Sequence, residues 1–316
     1  MSAAGMWQRQ AVPLSVLATA LLAWWALVVT LPDGEMGRTI LLELRLPRVV
    51  LALVSGAALA LAGLWLQTLF RHGLVEPGLL GVTSGASLMA VLTLVLLQGW
   101  VWALPLGAFA GAMLALALVL ALARHYRLEP ESLLLAGIAL NAVMAATTQL
   151  LLMLSADVTL RAGSFWLMGS FSYADWHSLL PTLGLVILLL LWGLRRASAF
   201  DLWLLGERDA GHLGLPVPRF RRQVIWASAV LVALVVAQAG SVAFIGLMAP
   251  HLAARLVGQR HAVLMPVTVW IGALLALFAD TLAQRLMAPL ELPVGVVTAL
   301  LGGPAFLFLL QRRWRS

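Results

Sequence analysis

Apolar runs of about twenty residues recur along the whole chain, separated by short polar pieces that carry nearly all of its charge. A helix rises about 1.5 Å per residue, so each run matches the ~30 Å hydrocarbon core of a bilayer. Inside lipid every backbone N–H and C=O must be satisfied by the protein itself, which leaves helices or a closed barrel. Runs this long and continuous are helical. The pattern predicts an all-α polytopic membrane protein, with spans at 12–31, 49–70, 79–97, 102–123, 132–155, 178–194, 262–284 and 293–311. Between Val224 and Val257 lie 34 residues, too many for one span and too few for two with a turn. Gly240 and Pro250 interrupt them, and arginines flank both ends, which requires an even number of crossings if both clusters share one side. The stretch reads as one full helix, a turn near Gly240, and a short broken helix around 244–256 that contains Gly246 and Pro250. The count is about ten spans in a single transmembrane domain over 1–316.

The side each loop occupies follows from arginine. All twenty basic residues are arginine, and they fall between the apolar blocks. Retention of positive loops in the cytoplasm accounts for them, so the net charge of +7 implies no nucleic-acid partner. With both termini cytoplasmic, fifteen arginines lie inside and five (Arg38, Arg45, Arg48, Arg161 and Arg285) lie outside or near outer span ends. The 12–31 run lacks a small-residue cleavage site and reads as a first span, not a removable signal. Division between spans five and six gives two five-helix units, and an odd number per unit makes the halves inverted relative to each other. Only 10% of residues are charged, against roughly 25% in soluble domains, and cysteine is absent, which excludes disulfides and thiolate metal centres.

One interval does not belong in lipid. Residues 195–222, RRASAFDLWLLGERDAGHLGLPVPRFRR, form a polar cytoplasmic island whose centre reads as two short helical pieces broken at Gly206 and Gly214. Leu204, Leu205, Ala210 and Leu213 could fill a cleft on a soluble partner while Glu207, Arg208 and Asp209 set register. An ordinary amphipathic surface loop is the plainer alternative.

Other candidates lie on the spans and their ends. Arg45, Arg48 and Arg285 stand outside against the general bias and could grip carboxylates on an external partner, or instead pin lipid headgroups. Asp280, inside a span, is either a structural hydrogen-bonding group or the carboxylate of an ion-coupled transporter. Asn141, Thr148 and Gln149 put polar groups on span five, where they border a pathway or bond between helices. His251 has no partner at ligand spacing and suits a helix terminus or a cytoplasmic contact, not a metal. The chain holds no lysine and no G-x-x-x-x-G-K-[ST], so it carries no P-loop.

Taken together, RLPR at 45–48, GAALALAGLWLQTLFRHGLVEPGLLGVTSGA at 56–86, LLLAG at 133–137 and FWLMGS at 165–170 resemble permeases of the FecCD/BtuC family. LLGERDAGHLGL at 204–215, AGSVAFIGLMAPHLAARLVG at 239–258 and ADTLAQRLMAPLELPVGVVTALLGGPAFLFLL at 279–310 extend the resemblance to the C-terminus. It implies a BtuC-like subunit of a type II ATP-binding-cassette importer for iron–siderophores, haem or cobalamin, iron(III)–siderophore being the first expectation. It implies a homodimer in the cell inner membrane, two ATPase subunits that bind ATP and Mg, one substrate-binding protein, and no cofactor or enzymatic activity in this chain. By resemblance, Leu205, Gly206, Glu207, Ala210, Leu213, Gly214 and His251 couple to the ATPase, and Arg45, Arg48 and Arg285 receive the binding protein. Asp280, Gly246 and Pro250 become structural. Where some relatives have small hydroxyl residues near the cytoplasmic gate, this chain has Pro130 and Glu131 followed by Ser132, so gate residues do not carry over.

Overall fold

A computed structural model describes residues 34–97, 102–126 and 130–314, with side chains from 132 to 307 in the last segment. The first apolar run at 12–31 and the side chains of Pro130 and Glu131 lie outside the described residues. Among the described residues the secondary structure is helical apart from one isolated bridge between Met287 and Leu290. Among the described residues, six helices are long and apolar enough to cross a membrane, and three apolar helices are shorter.

Helix α1, Glu35–Phe70, is the spine. It begins earlier than the sequence predicts, because the amphipathic stretch before Pro47 is helical too and includes a π-type segment over Ile40–Arg45. Proline lacks an N–H and crowds the carbonyl four residues back, and a widened turn just before Pro47 accommodates both effects. Beyond it almost every residue of α1 is buried, including Ala52, Ala58, Leu61 and Trp65. Glycine makes that possible. A Cβ on Gly63 would sit 1.9 Å from the Gly246 carbonyl oxygen, and one on Gly56 would sit 2.1 Å from that of Gly272. Two neighbouring helices therefore touch α1 backbone to backbone, the small-residue packing that membranes favour.

A single 3-10 turn, Pro77–Leu80, leads into α2 (Val82–Leu96), which pairs with α3 (Ala103–His125). Helix α4 covers Pro130–Met153. Next comes α5, Asp157–Leu167, an amphipathic helix in the connection between predicted spans 132–155 and 178–194. Aromatic residues such as Trp166, Tyr173 and Trp176 are of the type that anchors at a membrane interface. Trp166 is instead buried against the core, and Trp176 donates its indole N–H to the Leu42 carbonyl of α1 at 3.0 Å, while Tyr173 is exposed. Helix α6 is Trp176–Arg195, followed by the short α7 (Ala197–Trp203) and α8 (Glu207–His212).

The ambiguous run resolves into α9, Val217–Ala239, and α10, Ile245–Val257, joined by an extended piece. Thirteen residues rise only about 20 Å, so α10 does not cross a bilayer by itself. Pro250 cannot donate to the Gly246 carbonyl, and Gln67 of α1 does so instead at 3.2 Å, with Leu247 O at 3.4 Å. At the N-terminus of α10, Phe244 adopts φ 66 and its N–H donates to Glu76 at 3.0 Å, placing a carboxylate on the positive end of the helix. Helices α11 (His261–Arg285) and α12 (Val294–Trp314) complete the bundle.

Candidate functional site

The island is a seated module. Gly206 (φ 124) and Gly214 (φ 89) bracket α8 in conformations that side-chain-bearing residues rarely adopt, so the reversals occur where glycine allows them. Beneath it lies an aromatic hub. Phe200 stacks on Trp65 at 5.9 Å, Phe220 meets Phe200 edge-on at 5.0 Å, and Trp203 lies 5.4 Å from Phe220. The Trp203 indole N–H donates to the Leu69 carbonyl at 2.9 Å. Leu204, Leu205 and Leu213 remain exposed above the hub. Ala210 does not join them: it is fully buried, and in this arrangement it packs α8 onto the body instead of facing a partner. Glu207 pairs with Arg221 at the start of α9, and Arg221 also lies 5.8 Å over the Trp203 ring.

A second tether runs through His261, the first residue of α11. Asp201 on α7 accepts the His261 backbone N–H at 3.0 Å and its Nδ1–H at 2.6 Å. Nε2 lies 2.9 Å from the hydroxyl oxygen of Thr68, near the end of α1, and that hydroxyl also donates to the Leu64 carbonyl at 2.9 Å. His261 is buried and Phe200 stacks on its ring at 5.4 Å. The island is thereby fixed to both α1 and α11. Sequence reasoning missed this relay, because its three members lie 60 and 193 residues apart and carry no spacing signal. His251, named from sequence, bonds back to the Leu247 carbonyl at 2.8 Å and meets Phe306 edge-on, so it sits midway along α10 facing α12.

At the end of α1 away from the island the expected roles of two residues merge. Arg48 donates to both oxygens of Asp280 (Nε at 3.2 and 3.1 Å, Nη2 at 3.0 Å) and, through Nη1, to Glu291 at 3.0 Å. Gln284 adds a bond to Asp280 at 2.7 Å, and the Ser172 hydroxyl donates to Glu291 at 3.0 Å. Asp280 is thus paired with Arg48, while the neighbouring Thr281 hydroxyl bonds the Leu277 carbonyl at 2.7 Å. Ion coupling needs a carboxylate that is free to exchange its ion, and this one is held in a buried fork. Arg48, named for docking, has only 13% of its side chain exposed and is engaged on both edges. Arg285 is exposed at the end of α11, and Arg45 is half-buried at the end of the π-type segment.

The three polar residues named on α4 separate. Asn141 donates to the Gly78 carbonyl at 3.0 Å and accepts from Ser84, so it clamps the Pro77–Leu80 turn. Thr148 is buried and bonds back to Met144 at 2.7 Å. Gln149 faces outward, among the exposed Val143, Leu150 and Met153. Among the described residues no three His, Asp or Glu side chains come together as a metal site.

Comparison with known proteins agrees with this geometry. Residues 8–312 match the FecCD transport family. The chain is 42% identical to the hemin transport system permease protein HmuU of Yersinia pestis, over 87% of this chain and 84% of that protein. It is 39% identical to the iron(3+)-hydroxamate import system permease protein FhuG of Bacillus subtilis, over 86% and 84%. A solved metal-chelate type ABC transporter in an inward-facing conformation superposes with a TM-score of 0.88 at 32% identity, covering 94% of this chain and 97% of that one. The chain therefore belongs to the FecCD transport family, as a non-catalytic permease subunit of a metal-chelate ATP-binding-cassette importer whose ATPase is a separate subunit.

Proposed function

We propose that this chain moves an iron(III)–siderophore from the periplasm or cell exterior to the cytoplasm, as one of two identical membrane subunits. Each copy has ten spans in inverted halves with both termini cytoplasmic, and two ATPase subunits, which bind ATP and Mg, dock on 195–222. One observation carries the reading: the island is tied to α1 and α11 by the aromatic hub and by Asp201–His261–Thr68. A loop fixed at both of these points can transmit a push, whereas a solvated loop would absorb it.

Leu204, Leu205 and Leu213 supply the apolar contact, Gly206 and Gly214 its shape, Glu207 its register, and His251 a second contact from α10. Outside, Arg45 and Arg285 meet carboxylates of a single binding protein, and Arg48 with Asp280 stiffens the surface beneath them. The two copies meet across the open face of α4 and the start of α12, where Leu300 and Leu301 are exposed, with Gln149 beside the route. FhuG supports the siderophore through its named cargo, and HmuU keeps haem as the second reading within the same class, with cobalamin the third. Affinity purification of the tagged chain with its chromosomal neighbours, followed by vesicle uptake, tests the cargo. Uptake of a siderophore complex but not of haem or cobalamin is expected; preference for either of the others would replace the cargo and leave the machine intact.

A further inference from the structure

A pocket of about 440 Å³ opens where the arginine-rich ends of α1, α3 and α9 meet the start of α4. Its walls are apolar, formed by Leu69 and Phe70 of α1, Leu120 of α3, Leu133 of α4 and Ile225 of α9. Around them stand three arginines, Arg124, Arg221 and Arg222, with Glu207 the one acid in the lining. That acid is taken by Arg221. Arg124 and Arg222 are exposed and form no ion pair among the described residues. The Nε–H of Arg221 is buried with no acceptor, although a guanidinium N–H withheld from water ordinarily finds one.

Three guanidinium groups against one carboxylate leave two positive charges over an apolar cleft. The ligand that satisfies both halves is amphiphilic and anionic. Helix α3 bears exposed Leu106, Leu114 and Leu118 along its length, so its end at His125 stands beside lipid at headgroup depth. Basic pockets between helix ends on the cytoplasmic side are where anionic headgroups bind, with planar guanidinium groups gripping phosphate oxygens in pairs.

We propose that this pocket holds the phosphate of an anionic phospholipid of the cytoplasmic leaflet, its acyl chains leaving along α3. The phosphate bridges Arg124 and Arg222 and reaches Arg221, whose other partner is Glu207 on α8. Lipid thereby braces the helix that carries the ATPase contact. The leaflet follows from the orientation proposed above; the site itself does not depend on it.

The test places the full chain in nanodiscs of phosphatidylcholine with phosphatidylglycerol and reads retained lipid by native mass spectrometry as detergent strips the complex. Arg124→Gln with Arg222→Gln should weaken phosphatidylglycerol retention about 25-fold, roughly fivefold per arginine. Arg219→Gln, on the same turn of α9 but outside the pocket lining, should change it less than twofold. Equal loss in both variants would mean diffuse surface attraction and would overturn the site, as would no loss in the double variant. Displacement of phosphatidylglycerol by millimolar inorganic phosphate would assign the pocket to a soluble anion and overturn the lipid. Arg124→Lys with Arg222→Lys, which keeps charge and fold, should retain phosphatidylglycerol within fivefold; retention as poor as in the glutamine pair would count against phosphate recognition. Because both faces of a nanodisc are accessible, an inverted orientation would leave every arm unchanged.

Discussion

Helices α1 and α4 are both apolar spans, yet the structure treats them oppositely. Of the most apolar eighteen residues of α1, 83% are buried in the protein, against 22% for α4. The difference lies in small residues and their placement. In α1, Gly56 and Gly63 let α11 and α10 reach the backbone itself, and alanines fill the turns between. Helix α4 touches its own subunit through Leu133, Gly137, Asn141, Met144, Thr148 and Leu152, one stripe at helical spacing, and leaves the rest open. One span is a spine and the other is a face. A subunit with a closed spine and an open face is built to be pushed at one place and joined at another.

The largest effect should come from filling a spine contact. Gly63→Leu forces apart backbones that touch at Gly246, and the loss should exceed the ~1–3 kcal/mol of ordinary overpacking, read as failure to accumulate folded protein in the membrane. The matching change on the open face, Ala146→Leu, should shift stability within ~0.5 kcal/mol. If the two variants unfolded alike, the contrast between spine and face would be lost.

Next in size is the fork near the start of α1. Arg48→Gln leaves Asp280 buried without its counter-ion and should cost about 3–5 kcal/mol, whereas Arg48→Gln with Asp280→Asn should recover most of it. Thermal unfolding in lipid checks both, and a double variant as weak as the single would deny the pairing.

Neither the spine nor the fork was fully legible in the sequence. Apolar periodicity locates the spans, because burial in lipid and burial in protein select the same side chains. For that reason it cannot tell α1 from α4. What separates them is which glycines meet, and Gly63 meets Gly246 more than half the chain away. Arg48 and Asp280 were visible as unusual charges in membrane surroundings, but 232 residues separate them and nothing in the sequence pairs them. The island announced itself by polarity and by Gly206 and Gly214, while the buried side of Ala210 and the His261 tether depend on tertiary packing. Helix α5 was hidden because its polar content and short length resemble a loop's.

A smaller loss of stability should accompany Asp201→Asn, about 1.5–3 kcal/mol for a charge-assisted bond to His261. Its larger signature should be functional: ATP hydrolysis would continue while uptake per ATP falls, since the island would be less firmly held to α1 and α11. Parallel loss of both activities would make the tether merely structural. Smallest in stability but clear in assembly, Ala146→Leu should convert a dimer into monomer in detergent, read by mass; an unchanged dimer would move the pairing face off α4.

The most direct measurement is the ATPase rate of the permease and its ATPase partner in lipid, with and without chelate-loaded binding protein. The wild-type complex should be stimulated by the loaded protein, and Leu205→Asp, which puts a charge on the exposed apolar contact of the island, should lose both partner binding and stimulation. Uptake that persists in Leu205→Asp, without a P-loop subunit and driven by an ion gradient, would contradict the account.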